Sequence, residues 1–131
     1  IPVSNGSSIQ FTPKTGTNIQ MIEEMEQDGD GSFNYSGFPG STDLFTMQDL
    51  TVVPQTIYGL KLKVVARKSD TSYRTGATVL KIGSTTDVGE ATVLSSSYDN
   101  IETMYLTNPD TGLAWTIADV NNIEAGYTII E

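Results

Sequence analysis

The segment that begins at Asp28 has the residue types of a calcium-binding loop. Asp28 and Asp30 are separated by a glycine, and carboxylates spaced in this way wrap calcium at the start of many oxygen-rich loops. An EF-hand also needs a glutamate at its twelfth position, but that position here is a proline, and the next acidic residue is Asp43. The alternative is a plain turn that closes a hairpin between Met25 and Phe33. Because the loop is incomplete, the sequence favours the turn and predicts no metal site.

The many acidic residues raise the question of glycoside hydrolysis. Two carboxylates that flank a cleft are sufficient for this reaction and need no histidine. The chain holds 16 acidic residues, but none stands in an aromatic-rich, apolar segment of the kind that raises the pKa of a general acid. A chain of 131 residues also has little room for a deep cleft. We therefore predict that the protein is not an enzyme and has no catalytic residue.

Tyrosines give a third possible chemistry, which is carbohydrate binding. Aromatic faces stack on sugar rings, but strands also use tyrosine for packing with a solvated hydroxyl, and the sequence favours this packing role. The candidates for sugar stacking are Tyr58, Tyr73, Tyr98 and Tyr105.

Composition excludes several classes of function. With no histidine and no cysteine, the chain has no Ser-His-Asp triad, no cysteine nucleophile and no zinc site of the usual kind. No apolar run approaches the length that spans a bilayer, so no membrane partner is expected. We predict one domain and no cofactor.

The charge distribution points to protein partners. A formal net charge of −9 disfavours nucleic acid, because phosphate binding needs a basic surface. Six of the seven basic residues nevertheless fall between residues 61 and 81, while acidic residues dominate elsewhere, so two copies or two partners are able to meet by opposite charge. The alternative is a merely solvated strand face. The candidate interface residues are Lys61, Lys63, Arg67 and Arg74.

Short apolar runs between turn clusters predict an all-β fold. Residues 1–18, rich in Pro, Gly, Ser and Thr, are interpreted as an extended N-terminal arm, and residues 19–131 as one domain. Regular spacing and short linkers favour an antiparallel β-sandwich of jelly-roll type with about eight strands. The predicted strands span residues 19–26, 32–35, 43–50, 57–67, 73–82, 91–94, 101–106 and 127–130.

The clearest predicted strand runs from Leu60 to Arg67. Leu60, Leu62 and two further apolar residues share one face, whereas Lys61, Lys63 and Arg67 share the other. This alternation is typical of a half-buried antiparallel strand with a basic outer face.

The stretch of residues 108–126 predicts a structural lock. A turn leads to the chain's single tryptophan, and Thr116 and Asp119 have the spacing of a helix capping box. A glycine after the apolar helix positions is interpreted as a left-handed helix stop, and a last strand follows it. The lock residues are Pro109, Gly112, Trp115, Thr116, Asp119 and Gly126.

Four segments together resemble a group of bacteriophage virion proteins with small jelly-roll or lectin-like domains. These segments are residues 28–35, 56–68, 94–98 and 108–126, and the last is the most specific. The resemblance implies a structural component of the virion in which Pro109, Thr111, Gly112, Trp115 and Asp119 are fold determinants. Its implied partners are the major capsid protein, other virion proteins and further copies of the chain.

The resemblance leaves the position on the particle open. Capsid decoration, head fibres and tail modules all use such sandwiches. Our leading hypothesis is a non-enzymatic protein that decorates or cements the capsid. The alternative is a receptor-binding or carbohydrate-binding module of a tail or head fibre.

Overall fold

Strands are the main regular secondary structure of the described residues. The computed structural model describes residues 1–51 and 56–131. Within these residues the strands are β1 (Pro2–Ile9), β2 (Thr12–Pro13), β3 (Asn34–Tyr35), β4 (Thr42–Met47), β5 (Leu60–Ala66), β6 (Thr75–Ile82), β7 (Thr85–Val88), β8 (Thr92–Val93), β9 (Asp99–Tyr105) and β10 (Glu124–Ile129). The helical segments are a 3-10 turn (Ile19–Met21) and a short helix α1 (Ile117–Asn121).

The strands form one large antiparallel sheet and two small ones. The main sheet has six strands in the order β1-β4-β10-β6-β7, and β8 pairs with the start of β6. β5 and β9 pair over seven residues without a register shift, and we call this two-stranded sheet the ribbon. β2 and β3 form a short third sheet.

The ribbon packs on the main sheet through a shared hydrophobic core. The core combines side chains from both layers with side chains from the segment that carries α1. Burial of these apolar side chains provides the main attraction between the two layers. The core residues are Leu62, Leu80, Ile82, Tyr105, Trp115, Val120, Ile123 and Ala125.

The predicted antiparallel β fold with one short helix before the last strand is confirmed. Several predicted boundaries are wrong, however. Residues 19–26 hold a 3-10 turn instead of a strand, and the last strand begins at Glu124 rather than at Tyr127. β7 had no counterpart in the prediction, because its hairpin depends on a tight turn at Gly83, whose φ is 58°.

The predicted N-terminal arm contains an edge strand of the main sheet. β1 pairs with β4, although two register shifts interrupt the pairing. The segment after β1 is held by the buried carboxylate of Asp43, whose Oδ1 accepts hydrogen bonds from the backbone N–H groups of Gln10 and Phe11 at 2.6 and 2.8 Å. The amide of Asn18 donates to the other oxygen of Asp43 at 2.9 Å. Hydrogen bonds to a buried carboxylate are strong, so they fix this segment on the domain.

A second polar contact ties β1 across the outer surface of the main sheet. The Ser7 backbone N–H and hydroxyl donate to Oε2 of Glu124 at 3.0 and 2.6 Å, and Lys81 Nζ donates to the same hydroxyl at 2.7 Å. Although desolvation by itself raises the pKa of Glu124, these Ser7 hydrogen bonds and the nearby Lys81 hold it below its ordinary value.

Trp115 joins the segment before α1 to the ribbon. The indole is buried, and its Nε1 donates to the backbone carbonyl of Tyr105 at 3.0 Å. Since Tyr105 is the last residue of β9, this contact fixes the end of the ribbon on the core. The position of Trp115 agrees with its predicted role as an anchor.

The turn before Trp115 is closed by the buried residue Asn108. Its carbonyl accepts from the Gly112 N–H at 2.8 Å, and its side-chain Oδ1 accepts from the Asp110 N–H at 2.8 Å. Gly112 has a φ of 72°, which explains the glycine there. The predicted capping box is confirmed, with Asp119 N–H donating to Thr116 Oγ1 at 3.1 Å and Thr116 N–H donating to the Asp119 carboxylate at 3.0 Å.

The predicted role of Gly126 is wrong. α1 ends at Asn121, and Gly126 lies inside β10 without a positive φ. A Cβ added to Gly126 would stand 1.8 Å from the backbone carbonyl oxygen of Asp43 on β4. The glycine is therefore needed because two strand backbones approach closely, not because a helix must stop.

Replacing Trp115 tests the lock. We expect Trp115→Ala to lower the free energy of unfolding by about 3–5 kcal/mol, because a cavity opens where β9 meets the core. Thr116→Ala, which removes only a cap, should cost about 1 kcal/mol. Chemical denaturation measures both. A loss below about 1 kcal/mol for Trp115→Ala would mean that the indole does not hold the ribbon in place.

Gly126→Ala tests the corrected role of Gly126. The added methyl group has no space between β10 and β4, so we expect a loss of about 1–3 kcal/mol or more in the free energy of unfolding. Gly37→Ala is a matched control, because a Cβ there meets no atom within 4 Å and the φ of Gly37 is not positive. Equal stability of the two variants would contradict the close approach.

Candidate interaction site

The two calcium candidates serve as acceptors for neighbouring donors. The Asp28 carboxylate accepts from the backbone N–H and the hydroxyl of Ser32, each at 3.0 Å, so this segment is a turn. It does not close the predicted hairpin, since residue 25 lies outside any strand. Asp30 faces Arg67 and Tyr98 instead. Residues 1–51 and 56–131 contain no group of three or more acidic side chains placed to hold a metal ion.

Asp30, Arg67 and Tyr98 form a clamp at the end of the ribbon where β5 finishes. The Arg67 Nη2 group donates to both oxygens of Asp30 at 3.0 and 3.1 Å, and the Tyr98 hydroxyl donates to Oδ1 at 2.6 Å. The Arg67 guanidinium also lies 5.2 Å from the centre of the Tyr98 ring. The hydrogen bond from Tyr98 and the contact with Arg67 lower the pKa of Asp30.

The four predicted interface residues fall into two groups. Arg67 belongs to the clamp, and Arg74 is paired with Asp70 at 2.8 Å. Lys61 and Lys63 both project from the exposed side of β5. Lys61 and Lys63 thus lie together on an exposed strand surface, whereas Arg67 and Arg74 each contact an acidic side chain outside the ribbon.

The exposed side of the ribbon, which we call the ribbon face, combines basic, acidic and apolar groups. Lys61 stands opposite Met104 in the register, and Lys63 stands opposite Glu102. The Lys61 ammonium contacts the Glu102 carboxylate at 2.7 Å, whereas no ion pair of Lys63 occurs among the described residues. The outward residues of the ribbon face are Lys61, Lys63, Val65, Asn100, Glu102 and Met104.

Exposed apolar side chains extend the ribbon face at the end where β5 begins. The exposed fractions are 57% for Met104, 70% for Leu106 and 86% for Tyr58. A Cβ added to Gly59 would lie 3.5 Å from both Met104 Sδ and Leu106 Cδ2, so these side chains are adjacent. Neighbouring exposed apolar groups of this size are typical of a contact surface.

Met104 and Leu106 were not among the residues predicted from the sequence, whereas Tyr58 was a candidate for sugar stacking. Met104 lies in a predicted strand in which Ile101 and Tyr105 are buried. Strand alternation therefore puts Met104 on the opposite, exposed face. The alternation within the strand therefore indicates an exposed Met104. Its position beside Lys61, however, depends on the pairing of β9 with β5.

The four candidate tyrosines do not form one surface. The Tyr98 hydroxyl belongs to the clamp, and the Tyr105 hydroxyl donates to Asp87 at 2.8 Å in a site whose burial raises the pKa of Tyr105. Tyr58 and Tyr73 are exposed, but they precede β5 and β6 at opposite ends of the two layers. The length of β6 separates these ends by roughly 20 Å.

A shallow apolar depression lies beside Tyr58. Its volume is about 400 Å³, and it opens between α1 and the start of β5. Its apolar lining consists of Leu50, Ile57, Tyr58, Leu60 and Val120. Tyr58 and Leu60 connect the depression to the start of β5.

Comparison of the chain with protein-family models, with curated proteins and with solved structures gave no match.

The clamp predicts a specific response to acid. Because the folded-state pKa of Asp30 lies below its ordinary value of 3.8, its stabilising contribution is present at neutral pH and is lost as the pH falls through the folded-state pKa. We expect the free energy of unfolding of Asp30→Asn to fall less steeply with acidification than that of the parent. Urea denaturation over a series of acidic pH values measures this difference. Glu90→Gln, which removes one exposed carboxylate outside the clamp, is the control. A parental slope in Asp30→Asn would contradict the clamp.

Proposed function

We propose that this chain is a non-enzymatic structural protein of a bacteriophage virion, with a jelly-roll-like arrangement of its strands, and that it decorates or cements the capsid. The observation that carries the proposal is the ribbon face, a solvent-facing strand surface on which two lysines adjoin exposed apolar side chains. The resemblance of the segment from Asn108 to Gly126 to virion proteins supplies the setting. The partners in this proposal are the capsid shell and neighbouring copies of the chain.

The composition of the ribbon face suits adhesion to a protein surface. Complete burial of an exposed side chain such as Met104 or Leu106 contributes about 1.5–3 kcal/mol. Lys61 and Lys63 add charge complementarity toward an acidic partner, which raises the rate of encounter and fixes orientation. A binding surface of this kind needs no reacting group, which agrees with an adhesive role.

The placement of the acidic residues also supports a structural role. Asp30 and Asp43 accept hydrogen bonds that hold separate segments together, and Glu124 accepts those that fix Ser7. These carboxylates are positioned by donors of the same chain, and they stabilise loops and the edge strand. The proposal assigns them to the fold rather than to a substrate.

The second candidate function is a receptor-binding or carbohydrate-binding module of a fibre. The observation that favours it is Tyr58, which is 86% exposed and borders the apolar depression. A ring in this position offers one face for stacking on a sugar. Glycan binding that is lost in Tyr58→Ala but kept in Tyr73→Ala would support this alternative over decoration.

Addition of the protein to phage particles from which it has been stripped tests the leading function. We expect the parent to bind, and the Lys61→Glu, Lys63→Glu double variant to bind at least about tenfold more weakly at low salt. Its stability should change by less than about 1 kcal/mol, because exposed ion pairs contribute little. Cosedimentation with particles measures binding.

The Lys68→Glu, Arg74→Glu double variant is the matched control, because it makes the same change in charge away from the ribbon face. It should bind as the parent does. Failure of the parent to bind particles would refute the proposed function, and parental binding by the Lys61→Glu, Lys63→Glu variant would exclude the ribbon face as the contact.

A further inference from the structure

An exposed acidic segment of the chain has the opposite character to the ribbon face. Residues 23–26 are all exposed, and they place one methionine among three glutamates. Met25 is 89% exposed, although a methionine gains free energy from burial. Of the three glutamates, Glu24 accepts one long hydrogen bond, at 3.3 Å, from Ser32. We call residues 23–26 the acidic segment.

The acidic segment and the ribbon face are chemically complementary. One offers an exposed apolar side chain that three glutamates flank in the sequence, and the other offers exposed apolar side chains next to two lysines. Lys63 is the better recipient, because it forms no ion pair among the described residues, whereas Lys61 already contacts Glu102. Among those residues no ion pair joins the two surfaces within one copy, so the contact is open to a second copy.

We propose that copies of this chain associate head to tail, with the acidic segment of one copy seated on the ribbon face of the next. Met25 then packs against Tyr58, Met104 and Leu106, while Glu23 and Glu26 approach the lysines. This inference rests on the proposed function only in using the ribbon face as the contact surface. It identifies the occupant as a second copy of this chain.

The contact has a definite consequence for assembly. The two surfaces are different parts of the chain, so the contact is heterologous and generates a ring or an open row of copies. Such a row suits a protein that cements a shell, because each copy binds two neighbours. A self-complementary dimer would instead require the same patch on both partners.

Charge exchange between the two surfaces tests the contact in solution, without particles. We expect the parent to self-associate at low salt and to dissociate at high salt. The ribbon variant Lys61→Glu, Lys63→Glu and the segment variant Glu23→Lys, Glu26→Lys should each self-associate at least about tenfold more weakly. Sedimentation velocity measures the association, and chemical denaturation verifies that each variant is folded.

A mixture of the two variants provides the decisive result. The reversed surfaces are again complementary between the two variants, so the mixture should regain association that neither variant shows alone. The Lys68→Glu, Arg74→Glu variant, with the same charge change as the ribbon variant, should associate like the parent. A Met25→Ser variant should weaken association without a change in charge.

Three results would overturn the inference. These are a parent that stays monomeric up to millimolar concentration, variants that associate like the parent, and a mixture that associates no better than its components. Each of them leaves the binding of the parent to particles to be measured separately. Failure of the copy contact is thus distinguishable from failure of the proposed function.

Discussion

The hydrogen bond from the Trp115 indole to the carbonyl of Tyr105 fixes the relation between the two layers. It ties the segment before α1 to the last residue of β9, at the point where the ribbon meets the core. With Tyr105 and Ile101 buried, strand alternation turns Glu102 and Met104 outward. The contact of the indole with Tyr105 therefore helps to determine which side chains of β9 lie on the ribbon face.

The segment of residues 108–126 also leads into the last strand, which lies at the centre of the main sheet. α1 is only five residues long, so its capping box and its buried Val120 are needed to define it. β10 then enters between β4 and β6, where Gly126 permits the close approach of β4. Because β10 joins β4 to β6, displacement of β10 would separate β1 and β4 from β6 and β7.

Polar contacts over long sequence separations complete the domain. Asp43 fixes the segment after β1, Glu124 fixes Ser7 across the sheet, and Asp30 joins the end of β5 to Tyr98. Each contact links segments that lie far apart in sequence. An uncompensated buried carboxylate is costly, so donors from different segments must converge on residues such as Asp43 for the domain to be stable.

Local patterns predicted the parts of the fold that local chemistry determines. The alternation of Leu60 to Arg67 identified β5 and its basic side, and the Thr116–Asp119 spacing identified the start of α1. Gly126 was misassigned because the sequence does not distinguish a glycine that adopts a positive φ from one that permits a close contact between two backbones. The strand in the predicted arm was missed because its pairing depends on β4 and on Asp43.

The residues of the ribbon face could likewise be predicted only where local pattern determines them. Lys61 and Lys63 follow from alternation within one strand. The neighbouring Met104 depends on the pairing of β9 with β5, and the loss of Arg67 to the clamp depends on Asp30, which lies 37 residues away. Pairing partners of this kind are set by tertiary packing, which overrides local pattern.

Hydrogen exchange of the protein free and bound to particles tests most directly whether the ribbon face is the working surface. We expect slower exchange on binding in β5, in β9 and in the acidic segment, with little change in β6 and β10, which are central strands of the main sheet. Protection confined to β1 or β7, with unchanged exchange in β5 and β9, would contradict this assignment.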